Sequence, residues 1–279
     1  IGKVKPNSIY VYFRIFGFWM DHFGCYYFVK ELNAFLNGTH VEKSDEEDMI
    51  EYVNFASWQN QTVADPEGDV FWKDYNYTTD KQLVPFGTKG AESTFDAGKK
   101  QLVRLDNTQV QKQIEGSNQE IEHFFLSSFI SYLSSFGNNE LTIGYVPFKP
   151  LYEELELTMG AVSKALPLTI DSETIAKGIN QEIASKLEEL LEWSDYFEGA
   201  KGKLNYCFEY VHASFDDVQN PCRLIHTESI GQQFDLKLVC THENDSVDVK
   251  LYYDRSVFSE GEITSVSYTH LTLPTSSWV

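Results

Sequence analysis

The stretch from Ile9 to Leu36 constrains the fold more than any other part of the chain. Ile9 to Ile15 is a run of β-branched and aromatic residues, too short to span a membrane and suited to a buried strand. A tight segment follows, Phe16-Gly17-Phe18-Trp19-Met20-Asp21-His22-Phe23-Gly24. Cys25, Phe28, Val29, Leu32, Phe35 and Leu36 then recur at spacings of three and four, which predicts one apolar helix face. Strand, polar turn and helix in succession hold side chains at a rigid corner. The turn is where chemistry is expected.

The remaining composition narrows the possibilities. A chain of 279 residues with 42% hydrophobic and 15% aromatic content is globular and can bury a substantial core. Its 22 Lys and Arg against 42 Asp and Glu give a net charge of −20, which repels phosphate backbones and argues against a nucleic-acid partner. Cys25, Cys207, Cys222 and Cys240 lie far apart with no Cys-x-x-Cys pair, so free thiols are expected and a metal site is not. No apolar run reaches the ~18 residues of a membrane span and no secretion signal is visible, so the expected location is the cytoplasm. Without such a signal, the Asn-x-Ser/Thr triplets at Asn37, Asn60, Asn76 and Asn244 are discounted as glycosylation sites. The abrupt start at Ile1 reads as that of an internal fragment.

Along the chain, Asn37-Gly38 marks a helix stop. Ser44 and Glu47 have capping-box spacing, ahead of a helix with Met49, Tyr52, Val53 and Ala56 on one side, ending near Trp58-Gln59. Asp65 to Gly68 reads as a turn, Thr78 to Lys100 as a polar connector, and Lys100 to Leu105 as a strand. Ser117 and Glu120 form a second capping box before the stripe Ile121, Phe124, Phe125, Phe129, Tyr132, Leu133 and Phe136, which stops at Gly137. Glu140 to Val146 reads as a strand, and Ile175 to Leu191 as a long amphipathic helix. A turn at Gly199 to Gly202 precedes a strand over Leu204 to Tyr210. Phe234 to Cys240 and Val247 to Tyr253 alternate with period two, as a hairpin.

Several of these segments carry a resemblance. Arg14-Ile-Phe-Gly-Phe-Trp-Met-Asp21-His22-Phe-Gly24 resembles the Arg-x-His-His-x-x-x-Asp-Gly-x-Gly region of the condensation domains of non-ribosomal peptide synthetases. Phe16 and Gly17 stand at its two histidines, Asp21 at its aspartate, His22 at the following glycine and Gly24 at a later small residue. Tyr52-Val-Asn54-Phe-Ala-Ser-Trp58-Gln59 is similar to Tyr-x-Asp-(Phe/Tyr)-Ala-x-Trp-Gln, with Asn54 at the aspartate, and Phe71-Trp72 to the aromatic pair after it. Gly144 matches the glycine of a later strand. Gly160, Leu166, Pro167 and Leu168 match (Ile/Val)-Gly-x-Phe-Val-Asn-Thr-Leu-Pro-Leu, with Lys164-Ala165 in place of Asn-Thr. Trp193 to Glu198 stands where that family has His-Gln-x-Tyr-Pro-Phe-Glu. The strand ending at Cys240 and its successor, with Asp254 and Phe258, are similar to the family's last strands.

The resemblance implies an α/β fold of the chloramphenicol-acetyltransferase-like kind, a mixed sheet flanked by helices. Residues 1–77 would close a first lobe, 78–263 would form a second, and 264–279 would be a non-native or disordered tail resembling translated vector sequence. It also implies amide formation between acyl groups tethered as thioesters to the phosphopantetheine arms of peptidyl or acyl carrier proteins, in secondary-metabolite biosynthesis beside other synthetase domains. No bound cofactor and no metal are expected. Asp21 would be a structural residue that pairs with an arginine. Gly17 supplies no proton acceptor where the family has its catalytic histidine, so the chain reads as inactive on its own. His22 is the nearest imidazole, readable as a substitute base or as a packing residue. An acyl-coenzyme-A-dependent acyltransferase of the same superfamily and a non-catalytic carrier-protein docking lobe are the alternatives. His212, His226 and His242 lack metal-ligand spacing, and Asp216-Asp217 and Glu153-Glu154 read as solvated charges. No Gly-x-Ser-x-Gly elbow, phosphate-binding loop or dinucleotide fingerprint is present.

Overall fold

The computed structural model describes residues 10–15, 19–39, 50–79, 96–106, 120–135, 140–147, 152–155, 158–171, 179–213, 221–222, 234–243 and 246–266, with a few isolated positions. Its centre is a six-stranded mixed sheet. The strands are β1 (Ala97–Asp106), β2 (Glu140–Val146), β3 (Leu166–Asp171), β4 (Tyr206–Ala213), β5 (Leu236–Glu243) and β6 (Ser246–Asp254), in the order β1-β6-β5-β4-β2-β3. The inner trio β2, β4 and β5 is parallel, and the outer pairings are antiparallel. The expected hairpin is the β5–β6 pair, closing at Glu243 opposite Ser246.

Period-two alternation gives the sheet two different faces. Tyr206, Phe208 and Tyr210 of β4, Leu236, Leu238 and Cys240 of β5, and Val247, Val249 and Leu251 of β6 enter one apolar core. Two helices cover it. Numbered after the three N-terminal helices given below, α4 (Ile121–Ser134) contributes Phe125, Phe129 and Leu133, and α5 (Ile179–Glu192) contributes Ile183, Leu187 and Leu190. The intervening positions Cys207, Glu209 and Lys237 are also buried, so the second face is covered too, although it carries charge. Of the three N-terminal helices, the one that begins at His22 meets that face through Glu209, while the third packs Trp72 and Tyr75 against the apolar core.

Those helices are α1 (His22–Leu36), α2 (Tyr52–Val63) and α3 (Pro66–Asp74). Asp65 to Gly68 is the start of α3 rather than a turn: Asp65 caps it by accepting from the Glu67 N–H at 2.9 Å, and Pro66 takes a first-turn position that needs no N–H donor. Phe71 and Trp72 then seat α3 on the 193–197 segment. Phe71 stacks on Trp193 at 4.7 Å, and the Trp72 indole N–H donates to the Trp193 carbonyl at 2.9 Å. Gly68 lets this contact close, since a Cβ there would come within 2.4 Å of Tyr196 side-chain atoms.

Several expectations are corrected. Residues 10–15 form no strand, and Tyr10, Val11, Tyr12 and Phe13 are all more than half exposed. A strand exists only in a ladder, and no described strand runs beside this segment. The buried residues of α1 are Gly24, Tyr27 and Asn33, while Phe35 and Leu36 face outward. Asn33 fixes that rotation by bonding both backbone groups of Cys222 at 2.8 Å each. On α2 the buried residue is Phe55, Val53 is exposed, and the helix runs on past Gln59 to Val63. Glu120 is itself the extended residue preceding α4, not its third helical position. Ser44, Glu47 and Ser117 lie outside the described residues. The final helix α6 (Glu260–Val266) is anchored by buried Ile263.

All four cysteines are free thiols, Cys207 and Cys240 fully buried. No helix among the described residues is long and apolar enough to cross a membrane.

Candidate functional site

The motif segments converge on the N-terminus of α1. Asp21 stands just before the helix with an extended backbone, and its Oδ1 accepts from the Gly24 N–H at 2.8 Å, an N-cap. Its Oδ2 accepts from the Val162 and Ser163 N–H groups at 2.9 Å each. The Asp21 N–H donates to the Gly160 carbonyl at 3.2 Å. One carboxylate therefore ties the helix start to the segment leading into β3. Among the described residues its oxygens are held by backbone N–H groups, where an arginine was expected.

The matched glycines allow this approach. A Cβ on Gly24 would lie 2.9 Å from the Gly160 carbonyl oxygen, and one on Gly160 would fall 2.1 Å from the Tyr52 ring. Gly160 thus sits sandwiched between α1 and α2, where only hydrogen fits. Gly160→Ala is expected to cost about 1–3 kcal/mol by forcing Tyr52 aside. Chemical denaturation of Gly160→Ala, Tyr52→Ala and the double variant measures it. The double variant should lose less than the sum of the two singles, and additive losses would mean the two residues do not meet.

His22 opens α1 and reaches across to the charged sheet face. Its Nδ1 lies 2.6 Å from Glu209 Oε1, and Glu209 Oε2 lies 2.6 Å from Lys237 Nζ. All three side chains are largely buried, at 17% exposure or less. Burial alone would push the imidazole toward its neutral form, but the Glu209 carboxylate outweighs it and raises the His22 pKa. Burial would likewise raise the Glu209 carboxyl, yet Lys237 and His22 hold it well below the usual carboxylate range. An imidazolium at a helix N-terminus faces the positive end of the helix dipole, so Glu209 is what makes it tenable there. The triad has the character of an electrostatic latch between α1 and the sheet.

The other expected positions fall as follows. Tyr52 packs on Gly160, Asn54 is exposed, and Trp58 is partly exposed, edge-on to Tyr152 at 5.7 Å. Pro167 is buried in β3 opposite Gly144 of β2. Phe16 and Gly17 lie outside the described residues, as do His226, Asp216 and Asp217. Glu153 and Glu154 are exposed on a short 3-10 turn. His242 Nδ1 hydrogen-bonds the Tyr210 hydroxyl at 2.8 Å. Among the described residues no group of three or more His, Cys, Asp or Glu side chains is placed to hold a metal ion. Glu209, Lys237 and the Val162–Ser163 amides were not singled out from the sequence. A glutamate between Phe208 and Tyr210 reads as the solvent side of an alternating strand, and only the second layer on that face reveals otherwise.

No family model and no curated protein matches the sequence. Among solved structures, the chain is similar to the condensation domain from the Monacolin K polyketide synthase MokA, with TM-score 0.63 and 14% identity over 90% of this chain and 65% of that one. The chain has the condensation-domain fold. The epimerization domain from the third module of tyrocidine synthetase B matches at TM-score 0.62 and 13% identity, over 90% of this chain and 64% of its own. The X-domain from teicoplanin biosynthesis, solved in complex with OxyB, matches at 0.61 and 14%, over 90% and 63%. The chain thus spans 63–65% of the length of these three. Because domains named for condensation and for epimerization share this fold, the fold by itself does not select the reaction.

Proposed function

We propose that the Asp21 junction belongs to a condensation domain that joins carrier-bound acyl or aminoacyl thioesters, and that the chain lacks that chemistry's imidazole because residue 17 is glycine. Residues 1–77 are the end of a first lobe, 78–263 a second lobe, and 264–279 a tail. The carriers and neighbouring synthetase domains are the partners, in the cytoplasm. In the reaction the acceptor amine attacks the donor thioester carbonyl, the carbon–sulfur bond breaks, and the thiol leaves as the amide forms.

The observation that carries this reading is the clamp. The aspartate assigned to the motif holds the turn against Gly160 to Ser163, the later motif segment, by accepting from the Val162 and Ser163 N–H groups at 2.9 Å each. Segments more than a hundred positions apart that share the motif order also share one junction. Asp21 is a positioning residue here, because its oxygens are taken up by backbone donors.

The test supplies the missing group. A complete domain with this sequence and Gly17→His is given an acceptor on its carrier and a donor either as a carrier thioester or as an acyl-coenzyme A. Amide from the carrier thioester alone supports the proposal; product from the coenzyme A thioester alone assigns the acyltransferase alternative. A docking role is a second reading, favoured by the X-domain solved with OxyB and by the exposed Tyr10 to Phe13 face. Carrier binding with no amide from either version supports it.

A further inference from the structure

Lys164 follows the two residues that Asp21 clamps and lines two cavities at once. One is a small recess between α2 and the 162–166 segment, bounded by Phe55 and Gln59. The other is a groove of about 510 Å³ running along Phe197 to Leu204 to Phe234. The amine is half-buried between them, and its Nζ donates to the Phe197 carbonyl at 2.8 Å and to the Ser194 carbonyl at 3.4 Å. Among the described residues no carboxylate is ion-paired with it. Asp195, the acidic group that acts on it, has its Oδ2 taken by the Tyr152 hydroxyl at 2.5 Å.

That cradle can hold the neutral amine as well as the ammonium. An ammonium carries three N–H donors and here meets two carbonyl acceptors. A neutral amine gives one N–H to each carbonyl and keeps its lone pair at the remaining position. Burial without a carboxylate partner acts in the same direction, lowering the Lys164 pKa from the ordinary 10.5 to about 8. A half-buried lysine whose neutral fraction is enlarged and whose lone pair then faces a groove is the usual form of a nucleophilic amine.

We propose that Lys164 is an acyl-acceptor site, taking an acyl group from a small thioester that enters the groove between Lys164 and Phe234. The lone pair of Nζ attacks the thioester carbonyl carbon, and the carbon–sulfur bond breaks with its electron pair leaving on sulfur. The proton released from nitrogen passes to that thiolate, so the products are a neutral amide on Lys164 and a free thiol. The choice of a thioester rests on the condensation reading above, whereas the reactive amine does not. Acylation leaves one N–H on the nitrogen, so only one of the two carbonyl bonds survives it.

The full chain is incubated with the acetyl thioester of N-acetylcysteamine near neutral pH, and labelling of each lysine is followed by peptide mass spectrometry. Lys73, exposed on α3 and ion-paired with Asp69, is the internal reference. Lys164 is expected to be labelled on the order of tenfold faster, the larger neutral fraction being partly offset by lower basicity. The advantage should vanish in denaturant, and Lys164→Arg should remove that label while leaving Lys73 unchanged. Labelling of Lys164 no faster than Lys73 in the folded chain, or an advantage that persists in denaturant, overturns the site. A label without amide product in the carrier assay contradicts the condensation reading and leaves this site standing.

Discussion

Glu209→Ala is expected to destabilise this protein by about 3–5 kcal/mol, the largest effect of any single substitution considered. The side chain is 9% exposed and lies between Lys237 and His22, each at 2.6 Å. Its removal leaves two cationic groups facing each other without the carboxylate that lies between them. Equilibrium unfolding in urea reads the loss. The latch also sets a pH dependence. The His22 pKa is raised, so its contribution is complete below the unfolded value of 6.5 and is lost as pH rises through the higher folded value. Glu209 is depressed, so its contribution is complete above 4.5 and is lost only as pH falls through the lowered value. The cluster is therefore most stabilising between those limits and weakens on the alkaline side. His22→Gln should flatten that alkaline decline, and an unchanged slope would mean the imidazole is not coupled to Glu209.

Asp21→Ala is expected to cost about 3 kcal/mol, since it removes an N-cap and two charge-assisted bonds across the junction together. Asparagine should recover about half. Its one carbonyl oxygen can serve either Gly24 or the Val162–Ser163 pair, and its amide N–H groups then face donors. Hydrogen exchange separates this from a local cap effect. Loss of a cap alone would speed exchange at Gly24, whereas the clamp predicts faster exchange at Val162 and Ser163 as well, on a different part of the chain.

What the sequence disclosed follows from which interactions are local. Glu140 to Val146 and the strands around Phe208, Leu238 and Leu251 were readable because alternation is a short-range pattern and the apolar layer lies on the face that it marks. Asp21 was legible only as a motif position of the resemblance, and its capping role was not read although a cap needs only the next three residues. The strand expected over Ile9 to Ile15 was not realised among the described residues, because β-propensity says nothing about whether a neighbouring strand is present to pair with it. Phe35 and Leu36 belong to a plausible apolar face, but Asn33 turns the helix by bonding Cys222, nearly two hundred positions away. The latch is the extreme case. His22, Glu209 and Lys237 each look ordinary in their own windows, and their meaning lies in a meeting that only the tertiary fold supplies.

The measurement that bears most directly on the central claim is the rate of amide formation by a complete domain of this sequence, with and without Gly17→His, on carrier-bound donor and acceptor. If the junction held by Asp21 is a condensation site short of its imidazole, the substitution should raise the rate by about 10²–10⁴. Equal rates for the two versions at full turnover would show that the proton is handled elsewhere, and that residue 17 is not the position on which the chemistry depends.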